Sequence, residues 1–411
     1  EGSPLAKTLD FGKLRLGYAQ TGVEPPAYSS QTYFATSGFT DGFTDGVSFP
    51  YLGVNGFGYS DVLGNTDLKP EKQIGTEIGL DLRFFKGRLN VDFTYYIQQS
   101  KDILLLRPLA ESSGFEALYS NAGEMENKGI ELSVSGTPVK TTSGFEWDIT
   151  ANFTKNTNVV TKLETGVDEV NIETAFSSIG SFAIIDQPYG ALFGTKWERV
   201  DNDNPESALL INPATGLPLI QAERGNVGNP FPDFLLNIRN NFSYKGLRIG
   251  VLFDIREGGD IWCGTCARLN RLGRTELSAT DRDKMFVIEG VLADVNGEST
   301  GQTNNVEIDA VTYYQRYLGD AGAAVEQAVF DGSWTRLREL TVGYDIPMGS
   351  NSKIIKSLNL YFTGRNLWLS TDYPGVDPET SLTGSGSNVN GFDYFNNPGT
   401  KSYIFGLKAG F

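Results

Sequence analysis

Long runs of strictly alternating side chains constrain the fold of this chain more than any other feature. Residues 89–97 place an apolar side chain at every odd position, and polar side chains occupy most of the even positions. The same period of two recurs at 14–18, 74–84, 130–134, 144–154, 234–242, 247–255, 340–346, 358–362 and 403–411. A period of two is the pattern of a β-strand with one apolar and one polar face. The sequence therefore predicts an all-β fold.

The length of these runs distinguishes between two kinds of β protein. A soluble β-sandwich also alternates, because its strands have an inner and an outer face. Sandwich strands are usually about 5–6 residues long, whereas the alternation here persists for about ten, which matches the ~9–11 residues that a strand needs to cross a bilayer. Aromatic residues near the strand ends also suit interfacial girdles. The pattern favours a transmembrane antiparallel β-barrel over the sandwich.

The connections between the predicted strands alternate between short and long. Short turns are expected at Lys86–Arg88, Tyr244–Gly246, 138–143 and 347–353, and long loops at 23–73, 106–126, 157–188, 258–330 and 370–398. Short turns on one side and long loops on the other are the layout of an outer-membrane barrel. When the alternation is followed back from the C-terminus, the predicted strands at 189–200 and 232–244 point in the same direction. Either an additional strand lies between them, near 217–222, or one of the two assignments is wrong. With the additional strand, the tally is about twelve strands.

Composition excludes several classes of function. The net charge is −16, which argues against a nucleic-acid partner, because phosphate binding requires a basic surface. The chain contains no histidine, so Ser-His-Asp and Cys-His catalysis and histidine-ligated metals are ruled out. No apolar run approaches the roughly 18–20 residues of a membrane helix.

A carboxylate-based hydrolase needs no histidine and remains an alternative. No isolated pair of carboxylates in an aromatic pocket stands out, however, and we expect no enzyme activity. The segment "DNDNPES" at 201–207 has oxygen-bearing side chains at alternate positions, but it lacks the glycine and closing glutamate of a calcium loop. We interpret it as a turn and predict neither a metal site nor a cofactor.

The two cysteines, Cys263 and Cys266, form the motif CGTC. A redox CxxC belongs at a strand-to-helix junction of a thioredoxin-like unit, and no βαβ pattern surrounds this one. A small loop disulfide formed in an oxidising compartment is favoured over a pair of free thiols.

Barrel geometry assigns candidate roles to the two strand faces and to the loops. If the apolar side chains meet lipid, a set of charged and amide side chains lines the lumen: Glu77, Asp81, Arg83, Asn90, Asp92, Glu131, Glu146 and Asp148. Rings in two loops can stack on sugars or grip peptide side chains; the candidates for substrate binding are Tyr33, Phe34, Phe43, Tyr51, Phe392 and Tyr394. For each single ring, a structural role in ordering its loop is the alternative.

The last eleven residues, "KSYIFGLKAGF", form a strand that continues to the final phenylalanine. Its odd positions carry the large apolar side chains, so we expect Tyr403, Phe405, Leu407 and Phe411 to face lipid and this strand to take part in barrel closure. The segment also resembles the C-terminal aromatic signal that the outer-membrane assembly machinery reads, which implies a role for Phe411 in insertion.

Six blocks in order resemble one family, the SusC/RagA-type TonB-dependent transporters of Bacteroidetes outer membranes. The blocks are "NTDLKPEKQIGTEIGLDLRFFKGRLNVDFTYY" (65–96), "NAGEMENKGIELSVSG" (121–136), "GNPFPDFLLNIRNNFSYKGL" (228–247), "GSWTRLRELTVGYDIP" (332–347), "LNLYFTGRNLWLSTDYPGVDPE" (358–379) and the terminal strand. The resemblance extends from about residue 9 to residue 411, and it places residues 1–411 in the C-terminal portion of the family's barrel.

The resemblance implies a barrel of about 22 strands with a plugged lumen. It also implies a SusD-like surface lipoprotein as a lid over the long loops, energy from the TonB complex, and import of an oligosaccharide or oligopeptide across the outer membrane of a Gram-negative bacterium. A passive channel or a structural barrel with binding loops is the alternative function.

The resemblance also indicates what to expect beyond these residues. They contain neither a plug domain nor a TonB box, and a partial barrel would leave strand edges unpaired in lipid. We therefore expect a segment of a longer polypeptide, whose other strands pair with the strand near Leu14 and with the strand that ends at Phe411.

Overall fold

The computed structural model describes residues 8–39, 46–176, 178–348, 354–383, 387 and 389–411. In that part of the chain, ten long strands form one antiparallel sheet in which each strand pairs with its neighbour in sequence. They are β1 (Leu9–Val23), β2 (Glu71–Phe84), β3 (Leu89–Pro108), β4 (Ala117–Lys140), β5 (Phe145–Leu163), β6 (Phe234–Tyr244), β7 (Leu247–Glu257), β8 (Trp334–Ile346), β9 (Ser357–Ser370) and β10 (Ser402–Gly410).

This sheet, which we call the wall, confirms the all-β fold and most of the predicted strands. The described wall has ten long strands rather than the expected total of about twelve. One further short strand, Val62–Leu63, pairs with β4 in parallel. The segment 189–200 is not a wall strand. Ala191–Gly194 instead belongs to a separate four-stranded sheet, in which Ala191 and Leu192 are fully buried. The extra strand near 217–222 is therefore not needed, since β5 and β6 pair directly.

Among the described residues, the connections follow the predicted alternation with one correction; residues 349–353 of the predicted turn at 347–353 lie outside the described residues. The expected long loop at 106–126 is mostly strand, because β3 and β4 continue to Pro108 and from Ala117 as one extended hairpin. The β6–β7 connection is a two-residue turn in which Lys245 and Gly246 both have positive φ, at 44° and 89°. Both positive angles match the type I′ turn that suits the twist of a hairpin.

The long connections fold into a body of their own at one end of the wall. It contains short strands and three short helices, α1 (Gly264–Arg271), α2 (Glu276–Thr280) and α3 (Ala310–Thr312), and a π-helical turn at Tyr313–Tyr317. The short strands are Phe34–Thr36, Gly38–Phe39, Val47–Ser48, Phe57–Tyr59, Glu169–Phe176, Ile179–Ile184, Ala191–Gly194, Leu210–Ile211, Gly225–Gly228, Asp260–Cys263, Met285–Phe286, Val291–Ala293, Ser299–Thr303, Ile308–Asp309, Val329–Asp331 and Phe392–Asp393.

Most of the buried apolar side chains belong to this loop body rather than to the wall. The largest cluster packs Trp262 and Phe392 with Ile179, Leu192 and Val325. A second cluster joins the upper parts of β3, β4 and β5 to the strands Glu169–Phe176 and Ile179–Ile184. Elsewhere on the described wall strands, many of the large apolar side chains are exposed. No helix in the described part of the chain is long and apolar enough to cross a membrane.

Candidate functional site

The two faces of the wall differ sharply in polarity. On one face, cross-strand neighbours are apolar, as in the rows Val342–Phe362–Phe405 and Tyr344–Leu360–Leu407 of strands β8, β9 and β10. Phe362 is partly buried between its neighbours, whereas the other five side chains are exposed, and Phe405 is 80% exposed. We call this side the apolar face. The period of two therefore separates the side chains as predicted.

The opposite face, which we call the polar face, is lined by charged and amide side chains. A half-open cavity of about 1210 Å³ lies along this face near the short turns. Ion pairs cross from strand to strand over this surface; they include Arg239–Glu339 (3.4 Å), Arg365–Glu339 (3.3 Å) and Arg248–Asp345 (2.6 Å). A surface of paired charges holds water and presents donors and acceptors to a polar solute.

The predicted lumen residues lie on this polar face where the structure reports their contacts. Asp92 accepts two hydrogen bonds from the guanidinium of Arg15, at 2.6 and 2.8 Å. Glu146 pairs with Lys140 at 3.0 Å, and Thr137 donates to Asp148 at 2.5 Å. The sequence analysis did not identify Arg15, the cationic partner of Asp92. Its position between Leu14 and Leu16 in the alternating pattern of β1 assigns it to the polar face, so the pattern could have revealed it.

A buried ion network joins the loop that follows β9 to the wall. The guanidinium of Arg336 contacts Asp377 at 2.7 Å and Glu379 at 3.0 Å, and the side chains of Arg336 and Asp377 are only 5% and 7% exposed. Arg338 bridges Glu379 and Asp254, at 2.7 and 2.6 Å. The network holds the start of the loop against β7 and β8.

A second buried polar group holds the far end of the same loop. The carboxylate of Asp393 is 1% exposed and accepts hydrogen bonds from the hydroxyls of Tyr373, at 2.7 Å, and Thr265, at 3.1 Å. Burial and the bond to Asp393 raise the pKa of Tyr373, so this phenol remains a donor. Thr265 lies between Cys263 and Cys266, which are joined by a disulfide.

The structure separates the two predicted aromatic groups. Phe392 has no exposed surface and therefore packs the loop body instead of offering its ring to a ligand, because the parallel pairing of Phe392–Asp393 with Trp262–Cys263 draws it inside. Tyr394 is partly buried and stacks on Trp262, with ring centroids 6.4 Å apart. The packing of these two rings therefore agrees with the alternative, a structural role in ordering the loop.

The earlier loop carries the exposed rings. Tyr33, Phe34 and Tyr51 are 50%, 62% and 53% exposed. Phe34 lies against Tyr59 across the small hairpin of Phe34–Thr36 and Phe57–Tyr59, with centroids 4.4 Å apart. Phe43 lies outside the described residues. The loop thus presents a neutral aromatic surface, and its role in ligand binding stays a prediction.

The terminal strand divides its side chains between two faces as expected, whereas their contact with lipid and their part in barrel closure stay predictions. Tyr403, Phe405 and Leu407 are exposed on the apolar face, and Phe411 follows the strand with 75% of its surface exposed. Lys408 lies on the polar face, opposite Asn359. The proposed assembly role of Phe411 stays a prediction.

The polar face and the loop body suit recognition of a polar solute and its passage along the wall. Within the described ranges, no three Cys, Asp or Glu side chains are arranged to hold a metal ion. Residues 201–207 form turns in which Asp201 and Asn204 accept bonds from the backbone two residues on.

Comparisons with known proteins agree with this architecture. The family model described as "TonB dependent receptor-like, beta-barrel" matches residues 7–367. The chain is similar to TonB-dependent receptor P3 of Formosa agariphila, with 30% identity over 382 residues, 87% of this chain and 36% of that protein. It is also similar to TonB-dependent receptor SusC of Bacteroides thetaiotaomicron, with 24% identity over 359 residues, 84% of this chain and 32% of that protein.

Solved structures share the fold. The structure of the RagAB peptide transporter matches with a TM-score of 0.67 at 21% identity, over 98% of this chain and 41% of that chain. The RagAB peptide importer in its closed-closed state matches with a TM-score of 0.68 at 20% identity, over the same shares. The chain thus spans well under half the length of these relatives. Because the family model covers most of its residues, the chain belongs to the TonB-dependent receptor-like β-barrel family.

Proposed function

We propose that this chain is the C-terminal portion of the barrel of an active importer in the outer membrane of a Gram-negative bacterium. Its cargo is an oligomeric nutrient, either an oligosaccharide or an oligopeptide, and the chain performs no covalent chemistry on it. The observation that carries the proposal is the two-faced wall: an apolar face suited to the lipid bilayer and a polar face lined by paired charges. A loop body at one end supplies the surface for capture.

The relatives support an energy-dependent mechanism. This family is named for its dependence on TonB, and a plug domain with a TonB box would belong to the part of the relatives that this chain does not span. In such a protein, the polar face surrounds the plug. Displacement of the plug by TonB would open a path along the ion pairs of the wall.

The exposed loop rings support the presence of a lid. The RagAB peptide importer, which this chain resembles in fold, has both a closed-closed and an open-open state, and the chain is also similar to SusC. A SusD-like surface lipoprotein resting on the loop body would cover exposed rings such as Tyr33, Phe34 and Tyr51 and enclose the cargo between the two proteins.

Uptake by cells tests the proposal. The full-length gene would be deleted in its host, and uptake of fluorescent oligosaccharide and oligopeptide libraries would be compared with uptake in the parent strain and in a strain lacking TonB. Import of one library that is lost in both mutants is expected. Uptake that persists without TonB would instead identify a passive channel. The lid is tested separately by affinity capture of the receptor, and the absence of a co-purified lipoprotein would contradict it.

A further inference from the structure

A small cavity of about 250 Å³ lies entirely within the connection between β7 and β8. It is bounded by the end of α1, by α2 and by the turn that contains α3 and the π-helical residues. Its polar lining includes Asn270, Arg271, Ser278, Arg282, Tyr314 and Gln315. None of the functional features described above uses these residues.

Tyr314 contributes a hydroxyl group to the lining of this cavity. The residue is only 5% exposed, and its ring is held edge-on by Phe286, at 5.8 Å, and by Tyr313, at 5.3 Å. Its hydroxyl makes no hydrogen bond with any described residue, although the residue lines the cavity. The ring is buried but the hydroxyl itself is accessible, so it can donate a hydrogen bond to a ligand atom in the cavity. Tyr314 also lies in a π-helical turn, a form that is frequent at functional sites.

Two arginines make the cavity electropositive. Arg271 and Arg268 share one carboxylate, that of Asp320, at 3.3 and 2.8 Å, so this cluster retains a positive charge. Arg282 donates to the carbonyl oxygen of Gly273 at 3.0 Å and forms no ion pair with a described residue. The nearby Asp281 is neutralised by Lys284 at 2.5 Å.

This positive charge is unusual for the chain. The net charge of the whole sequence is −16, yet residues 264–284 contain five basic and three acidic side chains. No acidic side chain is among the described residues that line the cavity. Long-range repulsion of anions by the rest of the molecule is screened at distances beyond ~8 Å in physiological salt, so the local charge dominates inside the cavity.

We propose that this cavity is an oxyanion subsite that binds the carboxylate-bearing terminal unit of an oligomeric ligand. Arg271 and Arg282 neutralise the carboxylate, and the hydroxyl of Tyr314 donates a hydrogen bond to it. The volume is below the ~300–1,000 Å³ of sites for complete drug-sized ligands, so it accommodates one sugar or one amino-acid unit. The inference rests on the proposed import function and names a chemical group that the cargo carries.

Direct binding tests the subsite on the full-length receptor purified in detergent. Four probes would be titrated by calorimetry: glucuronate and N-acetyl-alanyl-alanine, which carry a carboxylate, and their neutral counterparts glucose and N-acetyl-alanyl-alanine amide. The first pair represents a glycan source of the carboxylate and the second a peptide source. We expect one of the two acids to bind, its neutral counterpart to bind at least about tenfold more weakly, and the affinity to fall with added salt.

Matched variants locate that binding. Arg282→Gln and Tyr314→Phe are each expected to weaken binding of the acid by about tenfold, and Tyr314→Phe preserves the ring packing and hence the fold. Arg274→Gln removes a charge that does not line the cavity, and Tyr313→Phe removes a neighbouring hydroxyl; both are expected to leave binding unchanged. Equal binding of acid and neutral probe, unchanged affinity in the first two variants, or no binding of either acid would overturn the subsite. Retained TonB-dependent uptake would show in that case that the proposed function itself survives.

Discussion

At the scale of single residues, buried polar groups determine how the loop body is held together. Asp393 is buried among Trp262, Tyr373 and the disulfide, and its described hydrogen-bond donors include the hydroxyls of Tyr373 and Thr265. A buried carboxylate depends on every donor that it has. The packing of the last loop therefore depends on two hydroxyl groups that no sequence motif reveals.

Removal of one of these hydroxyls provides the first prediction. Tyr373→Phe keeps the ring but leaves Asp393 with one hydroxyl donor fewer, which is expected to destabilise the loop by about 1–3 kcal/mol. Hydrogen exchange in the full-length receptor should show faster exchange at 389–395. Tyr59→Phe, which alters an exposed ring, serves as the control, and equal exchange in both variants would contradict the role of Tyr373.

Asp260 provides a prediction about pH. Burial is the largest cause that raises its pKa above the ordinary 3.8; the nearby Asp331 and Asp233 act in the same direction, whereas the Asn229 amide and Arg256 oppose it. A raised pKa means that the folded state favours the protonated carboxyl. The strand Asp260–Cys263 is therefore expected to gain stability as the pH falls from neutral through the raised pKa, and the gain is complete below the unfolded value.

Hydrogen-exchange protection at Ile261 and Trp262, corrected for the intrinsic effect of pH, measures this change. Asp260→Asn retains an acceptor for the Asn229 amide but cannot titrate, so its protection should not vary with pH in that range. Protection that decreases on acidification in the unmodified receptor would refute the assignment.

At the scale of the elements, an irregularity in β8 brings charges together. The register shifts at Arg338 relative to both neighbouring strands, between Leu337 and Glu339. Such a bulge allows two consecutive side chains to reach the same face, and here Arg338 meets Asp254 while Glu339 meets Arg239 and Arg365. The bulge thus connects the ion pairs of the wall to the network that holds the loop after β9.

The burial of that network predicts a large difference between two substitutions of the same type. Arg336→Met leaves Asp377 buried without its cation and is expected to cost about 3–5 kcal/mol. Arg248→Met removes an exposed partner of Asp345 and should cost about 0–1 kcal/mol. Thermal unfolding of the full-length receptor in detergent compares the two, and similar losses would show that the Arg336 pair is not special.

The turn between β6 and β7 predicts a defect in pairing. Gly246 has φ of +89°, and a Cβ at this position would lie 2.8 Å from the carbonyl oxygen of Asp345. Gly246→Ala should therefore slow assembly, measured as the fraction of heat-modifiable barrel in membranes. Gly144→Ala also places a side chain at positive φ but has open space around it, so it separates steric conflict from backbone strain.

At the scale of the whole molecule, the wall separates two environments. Its apolar face is continuous across β8, β9 and β10, whereas its polar face carries the ion pairs and the 1210 Å³ cavity. The loop body covers one end. This asymmetry supports the proposed passage of a polar cargo along one side of a wall whose other side is suited to lipid.

The facing of the wall can be tested on adjacent residues of β10. Leu407→Arg on the apolar face should reduce the stability of the folded barrel by about 2–4 kcal/mol if the site lies near the bilayer midplane, since a lipid-facing charge is costly there. Lys408→Gln on the polar face should have little effect. Folding titrations in lipid vesicles measure both, and an effect of equal size would mean that Leu407 does not face lipid.

Residue patterns alone predicted much of this protein. The period of two predicted the wall strands and the facing of Leu407 and Lys408, because the alternation of side chains along a strand is a local property of the backbone. The tight turn at Lys245 and Gly246 was predictable for the same reason. The order of six sequence blocks indicated the family.

Tertiary structure determined the remaining features. The segment around Leu192 is apolar like a wall strand, yet it pairs within the loop body and is buried on both sides; local pattern cannot distinguish these two surroundings. Phe392 was a candidate for ligand contact until its pairing beside Trp262 placed it in a core. Arg336 meets Asp377, and Tyr314 meets Phe286. In both contacts the two residues are far apart in the sequence. Alternation depends on neighbouring residues, whereas burial, ion pairing and cavities depend on which distant segments meet, and only the folded chain decides that.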